Sequence, residues 1–217
     1  MGTASRYADR RAAGRTLGER LRTERLPDPL VLALPRGGVP VGVEVAAALR
    51  APVDIVVARK IGAPGRSELG VGAVTVDGAP VFDADLLDRL GLHVDQLSAT
   101  VERERCEARR RVAAFRGDRL APVITGRSVI VVDDGLATGV TARAAVRSLR
   151  EDRPGRLVLA VPVGSRQAVA SLSEEVEVVC LQTPTRFCAV GYHYVDFSQL
   201  DDDDVCALLH AARENAP

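Results

Sequence analysis

The stretch SVIVVDDGLATGVTARAAV, residues 128–146, decides how this chain is read. Val129, Ile130, Val131 and Val132 make an uninterrupted apolar run, the pattern of a strand buried on both faces. That strand delivers two adjacent carboxylates, Asp133 and Asp134, to its carboxyl end, the edge at which open parallel sheets bind ligands. Side chains alternate along a strand, but the chain turns here, so both acids can reach one ligand. Gly135 to Thr141 then gives a short loop with two glycines and two threonines that opens into a helix. Main-chain amides and a helix N-terminus make such a loop an anion site, and threonine hydroxyls add donors without charge. Acids that accept hydroxyl hydrogens, beside amides that take phosphate, suit a sugar phosphate. A reading in which Asp133 only caps the next helix explains one acid and not the pair.

Working outward, LVLAL (30–34), bounded by Pro29 and Pro35, predicts a second buried strand, followed by a turn at Arg36-Gly37-Gly38 and a helix from Val39 to Leu49. DIVVA (54–58), RLVLAVPV (156–163) and VEVVCLQ (176–182) predict further strands, and the spacing predicts helices over 6–25, 138–150 and 164–172. Asp201–Asp204, ahead of VCALLHAAR, reads as a helix start with acids at the positive end of the dipole. The glycine-rich KIGAPGRSELG (60–70) predicts a loop without regular structure. VGAVTV (71–76) and APVF (79–82) flank Asp77-Gly78 as a hairpin. Residues 83–115 read as helix, ending in a charge-dense stretch whose alternating signs mark a solvated or subunit-facing surface. Strands alternating with helices imply an α/β fold, a mostly parallel twisted sheet with helices on both faces. No linker or repeat interrupts residues 1–217, so a single domain is expected.

Composition narrows the function classes. The chain has 217 residues, 47% hydrophobic and 27% charged, with a formal net charge of zero. That is ordinary for a globular protein and gives no sign of a nucleic-acid or membrane surface binder. No apolar run approaches the ~20 residues that span a bilayer, and the N-terminus lacks the apolar core of a signal peptide. Cys106, Cys180, Cys188 and Cys206 are scattered without a CxxC pair, so neither a zinc site nor a disulfide framework is supported, and a reduced cytoplasmic setting is expected. Lys60 is the only lysine against 28 arginines. Where arginine is so favoured, one surviving lysine points to a need for a compact, mobile charge.

Two nucleotide-binding alternatives fail on their motifs. A nucleoside triphosphatase needs GxxxxGK[ST], and Lys60 lies in ARKIG without that frame. A dinucleotide fold needs GxGxxG, which is missing. VIVVDDGLATGVT instead resembles the ribose-phosphate signature of type I phosphoribosyltransferases, matching both acids, the Thr138-Gly139 step and the closing Thr141. ALPRGGVPVG (33–42) resembles the family's pyrophosphate loop, and VARKIGAPGRSELGVGAV (57–74) resembles the flexible loop that closes over its active site. The tail FCAVGYHYVDFSQLDDDDV (187–205) is similar to that of a bacterial group of predicted phosphoribosyltransferases.

The resemblance implies a type I phosphoribosyltransferase fold with a small hood built from 183–217 and part of the N-terminus. It implies an Mg2+-dependent pentosyltransferase of purine or pyrimidine salvage that moves phosphoribose from phosphoribosyl pyrophosphate (PRPP) to a nitrogenous base. Asp133 and Asp134 would hold the ribose hydroxyls and act on magnesium through its waters. Ala137, Thr138, Gly139, Val140 and Thr141 would cradle the 5-phosphate. Arg36, Gly37, Gly38, Arg59 and Lys60 would address the pyrophosphate, with Asp133, Asp134, Lys60 and Arg36 carrying catalysis. Ala137 stands where hypoxanthine–guanine enzymes carry a third acid, which argues against their chemistry. A non-catalytic sensor of PRPP or a nucleotide is the alternative; an intact flexible loop with Lys60, and no helix-turn-helix unit, favour the enzyme. A homodimer is a reasonable expectation from the fold and the charged helix.

Other residues carry weaker signals. Glu68 reads first as a solvated loop acid. Tyr192, His193 and Tyr194 fit a base-stacking hood and a core-closing cluster equally. His93 and His210 lack a partner pattern, the Asp201–Asp204 run reads as a solvated helix start, and the interleaved glutamates make Arg109–Arg111 part of a salt-bridged helix.

Overall fold

The computed structural model describes residues 6–214, with all side chains in that span except that of Ser67. The apolar run of 128–132 forms strand β6 (Ser128–Val132), and all five of its residues are buried. It lies in the middle of a parallel sheet with β1 (Pro29–Ala33), β2 (Val53–Ile55), β7 (Arg156–Val163) and β8 (Glu177–Gln182), in the order β2-β1-β6-β7-β8. Alternation sorts its side chains to two faces. Val31, Ala33, Ile130, Val132, Val158 and Ala160 pack with residues of α1 (Arg10–Leu21), α2 (Gly38–Leu49), α4 (Ser98–Arg116) and α7 (Asp202–Glu214). Leu30, Leu32, Val129, Val131, Leu159 and Val161 pack with α5 (Val140–Glu151) and α6 (Arg166–Ser173). The fold is α/β, as expected.

After β1 the chain builds outward to β2, whereas after β6 it builds the other way, through β7 to β8. The connections therefore diverge between β1 and β6, and an open parallel sheet has its crevice above the carboxyl ends of two such strands. The loops that follow β1 and β6 are Leu34–Gly37 and Asp133–Gly139.

Three expectations are corrected. Residues 60–70 are no irregular loop: β3 (Ala58–Ala63) and β4 (Arg66–Thr75) form an antiparallel hairpin, with β5 (Val81–Phe82) as third strand of a second sheet. Its glycines hid the alternation. Ile61, Ala63 and Val71 nonetheless point to a common small core with Leu87, Leu97 and Val101, and a Cβ on Gly72 would lie 2.5 Å from the Val81 carbonyl oxygen, so β5 approaches there only because the side chain is absent. The expected strand at 54–58 ends at Ile55, since Ala58 already belongs to β3. The expected helix over 83–115 is broken: α3 (Ala84–Leu90) stops at Gly91, which takes φ +63°, a conformation glycine adopts without the usual penalty. A 3₁₀ turn over Val94–Leu97 precedes α4. Arg105 on α4 donates through Nη1 to the carbonyls of Thr75, Val76 and Gly78 at 2.9–3.3 Å, tying the second sheet to that helix.

At the edge of the main sheet, Asp54 is buried between two cations. Arg116 Nε donates to Oδ2 and Arg213 Nη2 to Oδ1, each at 3.1 Å, joining β2, α4 and α7. Asp201 and Asp204 accept each other's main-chain N–H at 2.8 and 3.0 Å, so the acidic run is a helix start. Among the described residues no helix is long and apolar enough to cross a membrane, and all four cysteines are free.

Candidate active site

The loops after β1 and β6 meet closely. Leu34 N–H donates to the Val132 carbonyl at 2.8 Å, and Gly38 N–H turns back to Leu34 O at 2.9 Å, so α2 begins directly above β1. The Pro35–Arg36 peptide between them is cis. A Cβ on Gly37 would stand 2.0 Å from Asp134 Oδ2, and one on Gly38 would stand 2.6 Å from the Val132 carbonyl. Both glycines are required by this approach: the turn of one loop is pressed against the carboxylate of the other. Arg36, at the crest, is exposed.

The two acids are held differently. Asp133 Oδ1 accepts from the Asp134 main-chain N–H at 2.8 Å. Asp134 Oδ2 accepts from Arg10 Nε at 2.8 Å, in a pair whose side chains are only 13% and 14% exposed. Arg10 is the first residue of α1, and its Nη1 also donates to the Ser198 carbonyl at 2.9 Å. Its Cζ lies 3.7 Å above the centre of the Phe197 ring, a cation–π contact. The Tyr194 hydroxyl donates to the Asp134 carbonyl at 2.6 Å. Burial pushes the Asp133 carboxyl well above the ordinary carboxylate range, and the charge of Asp134 adds to the push. Asp134 is raised by burial too, with Arg10 opposing the shift. Two adjacent, half-buried carboxylates favour any cation or hydroxyl donor that relieves them.

The rest of the loop is fastened from below and open above. Leu136 N–H donates to Val163 O at 2.9 Å, Ser165 N–H to Leu136 O at 2.8 Å, and the Ser165 hydroxyl to Ala137 O at 2.7 Å. Gly139 takes φ +75° ahead of α5, whose N-terminus carries no side-chain cap. Ala137 and Thr138 are exposed and Val140 and Thr141 half-buried, and the first amides of α5 lack intrahelical acceptors.

The basic residues of the hairpin stand apart from this cluster. Arg59 pairs with Glu104 of α4 at 2.9 Å. Lys60 Nζ donates to the Glu68 carbonyl at 2.9 Å across the hairpin, and its stem covers Gly70, where a Cβ would lie 2.4 Å from Lys60 Cδ. The structure thus brings together Asp133, Asp134, Arg36, Gly37, Gly38 and 137–141, while Arg59 and Lys60 are engaged on α4 and the hairpin. Glu68 is exposed.

The tail from 187 onward has a role that its sequence does not disclose. Tyr7 and Tyr194 form a parallel bridge, with Tyr7 N–H to His193 O at 2.9 Å and Val195 N–H to Tyr7 O at 2.8 Å. Tyr194 is fully buried against Ala13 and Val163 and stacks on Phe197 at 5.1 Å, whereas Tyr192 is 71% exposed. Of the three hood candidates, Tyr194 closes a core, His193 stacks on Phe187 at 5.5 Å, and Tyr192 is the one left open. Arg10 and Phe197 are residues beside the acid pair that sequence reasoning missed, whereas Tyr194 stands among its hood candidates. The only available signal was the i, i+3 spacing of Tyr194 and Phe197.

The model of the phosphoribosyl transferase domain matches residues 5–195 of this chain. The chain belongs to the phosphoribosyl transferase family. Rv0571c of Mycobacterium tuberculosis H37Rv, which carries the name of a proposed phosphoribosyl transferase, is 42% identical over 210 residues, covering 96% of this chain. The chain spans 47% of the length of that relative. The crystal structure of TT1426 from Thermus thermophilus is similar at a TM-score of 0.81 and 41% identity, covering 98% of this chain and all of that one. A hypothetical protein from Neisseria gonorrhoeae, solved with bound ppGpp, shares the fold at a TM-score of 0.53 and 17% identity, covering 98% of this chain and all of that one. The type I resemblance read from 129–141 and the α/β fold agree with these relatives. The pairing of Arg10 with Asp134 ties the loop after β6 to the start of α1.

Proposed function

We propose that the protein is an Mg2+-dependent phosphoribosyltransferase that moves the 5-phosphoribosyl group of PRPP to a nitrogenous base and releases pyrophosphate. The observation that carries this reading is the acid pair Asp133–Asp134 at the carboxyl end of β6, flanked by the uncapped start of α5 and by the Arg36–Gly38 turn, at the point where the sheet's connections diverge. The amides and hydroxyls of 137–141 take the 5-phosphate. Asp133 and Asp134 accept the ribose hydroxyls, and their negative charge favours the cationic ring that develops as the C1–oxygen bond loosens. The bond from C1 to the base nitrogen forms as that to the pyrophosphate oxygen breaks, and the departing oxygens collect the negative charge near Arg36 and the Gly37 amide, with Gly38, whose own N–H is held by Leu34 O, giving the turn its shape. Arg59 and Lys60 join them only if the β3–β4 hairpin swings and releases its contacts to Glu104 and Glu68. Such a closure would also keep water from the activated sugar.

Two adjacent carboxylates, both pushed up by burial and Asp133 further by the charge of Asp134, fit magnesium, which takes one or two carboxylates and otherwise keeps water and substrate phosphates. Among the described residues no cluster of three or more His, Cys, Asp or Glu forms a cage of its own. When bound, the ion would offset charge on the pyrophosphate. Incubating the protein with PRPP, magnesium and a panel of purine, pyrimidine and pyridine bases should release pyrophosphate with at least one of them. Absence of release with every base, from demonstrably folded protein, would remove the catalytic reading.

A further inference from the structure

Asp134 is gripped at both ends by parts of the chain that are remote in sequence. Its carboxylate is held by Arg10 from α1 at 2.8 Å, across 124 residues, and its carbonyl by the Tyr194 hydroxyl at 2.6 Å. Arg10 is itself fixed on three sides, by Asp134, by the Ser198 carbonyl at 2.9 Å and by the Phe197 ring at 3.7 Å. A side chain so fully engaged has little freedom to leave, and its charge is spent on one member of the acid pair. Gly37 closes the same carboxylate from the opposite side. The site therefore presents Asp134 with one oxygen committed to a cation, and Asp133, among the described residues, bonded to a main-chain N–H.

Resting on the ribose-phosphate reading of this site, we infer that Arg10 is a positioning residue for the acid pair. It locks Asp134 in the orientation that receives the ribose hydroxyls, and it offsets the charge of one of two adjacent acids. The physical consequence is directional. With that charge offset, the protein alone is a poor cation site, and the anionic sugar phosphate meets less repulsion. Removing the guanidinium leaves the charge of the acid pair without its offset, which strengthens cation binding, and frees the Asp134 carboxylate to rotate while restoring repulsion, which weakens binding of the phosphorylated sugar. A purely structural role predicts another outcome: loss of packing would weaken both ligands together.

The experiment measures Mn2+ binding to the free full-length protein by electron paramagnetic resonance and ribose 5-phosphate binding by calorimetry, for wild type, Arg10→Gln and Arg10→Lys. Gln removes the charge but keeps a donor, and Lys keeps the charge without the fork. The loss of one charge-assisted bond corresponds to about a 10- to 100-fold change in affinity. Arg10→Gln is expected to bind ribose 5-phosphate about 10- to 100-fold more weakly and Mn2+ more tightly than wild type, with Arg10→Lys returning Mn2+ affinity to the wild-type level. Both affinities falling together, or neither changing, overturns the inference. If Arg10→Gln does not fold, Arg10→Lys alone decides: it should keep wild-type Mn2+ affinity and lose sugar affinity, and unchanged sugar affinity overturns the positioning role. Failure of wild type to bind ribose 5-phosphate overturns the site reading instead, and the Mn2+ arm reads Arg10's masking of the acids without it.

Discussion

Gly37→Ala is a one-methyl test of how the two loops fit. Gly37 sits at φ −61°, ψ −33°, which alanine adopts freely, so backbone strain plays no part. The added Cβ would lie 2.0 Å from Asp134 Oδ2 and 2.6 Å from its Cγ, far inside van der Waals contact, so the carboxylate must move by about 1 Å or more. That movement stretches or breaks the 2.8 Å bond to Arg10. Losing a charge-assisted hydrogen bond costs about 1.5–3 kcal/mol, and replacing glycine returns about 0.4–1 kcal/mol by restricting the unfolded chain. A net loss of about 1–2 kcal/mol lowers Tm by roughly 2–8 °C for a domain of this size. Function should suffer more, because a 1 Å misplacement of a positioning group can cost on the order of 100-fold. Calorimetric melting paired with pyrophosphate release, or with ribose 5-phosphate titration, reads both effects. A Gly37→Ala protein that binds and turns over within about twofold of wild type, well short of that loss, would refute the claim that this loop and Asp134 form one site.

Three other outcomes are expected. Asp54→Ala leaves Arg116 and Arg213 facing each other without their shared acid, and should cost about 3 kcal/mol; an unchanged melting temperature would show that the triad contributes nothing. Tyr194→Phe keeps the ring stack with Phe197 but strands the Asp134 carbonyl, costing about 1–3 kcal/mol and weakening ribose 5-phosphate binding; loss of stability with unaltered binding would confine Tyr194 to the core. Burial pushes the Cys180 thiol up to about 11, and since the thiolate is the reactive form, the exposed Cys106 and Cys188 should be alkylated first near neutral pH. Faster modification of Cys180, read by mass spectrometry, would contradict that burial.

How legible the fold was depended on where tertiary contacts overrode local pattern. RLVLAVPV announced β7 to the residue, because six of its eight positions are buried in a two-faced sheet and Gly155 and Gly164 punctuate it. The place of the acid pair was readable for the same reason, since the apolar run of β6 is buried throughout and ends directly before Asp133. The β3–β4 hairpin was not, because glycines at 62, 65, 70 and 72 remove the alternation that marks a strand, and the pairing of Lys60 with Ala73 shows only in space. Tyr192 and Tyr194 lie two residues apart yet one is open and the other sealed, since a 3₁₀ turn over Val190–His193 separates their environments. Arg10 was invisible among so many arginines, because what distinguishes it is a partner 124 residues away.

Residues 133–141 must hold a phosphorylated ribose if this site works as proposed. A crystal grown with saturating ribose 5-phosphate and magnesium tests that most directly. The phosphate is predicted to lie on the main-chain amides of 137–141, with the ribose hydroxyls on Asp133 and Asp134. Ligand bound elsewhere, or an empty loop in crystals of protein that binds the sugar in solution, would contradict it.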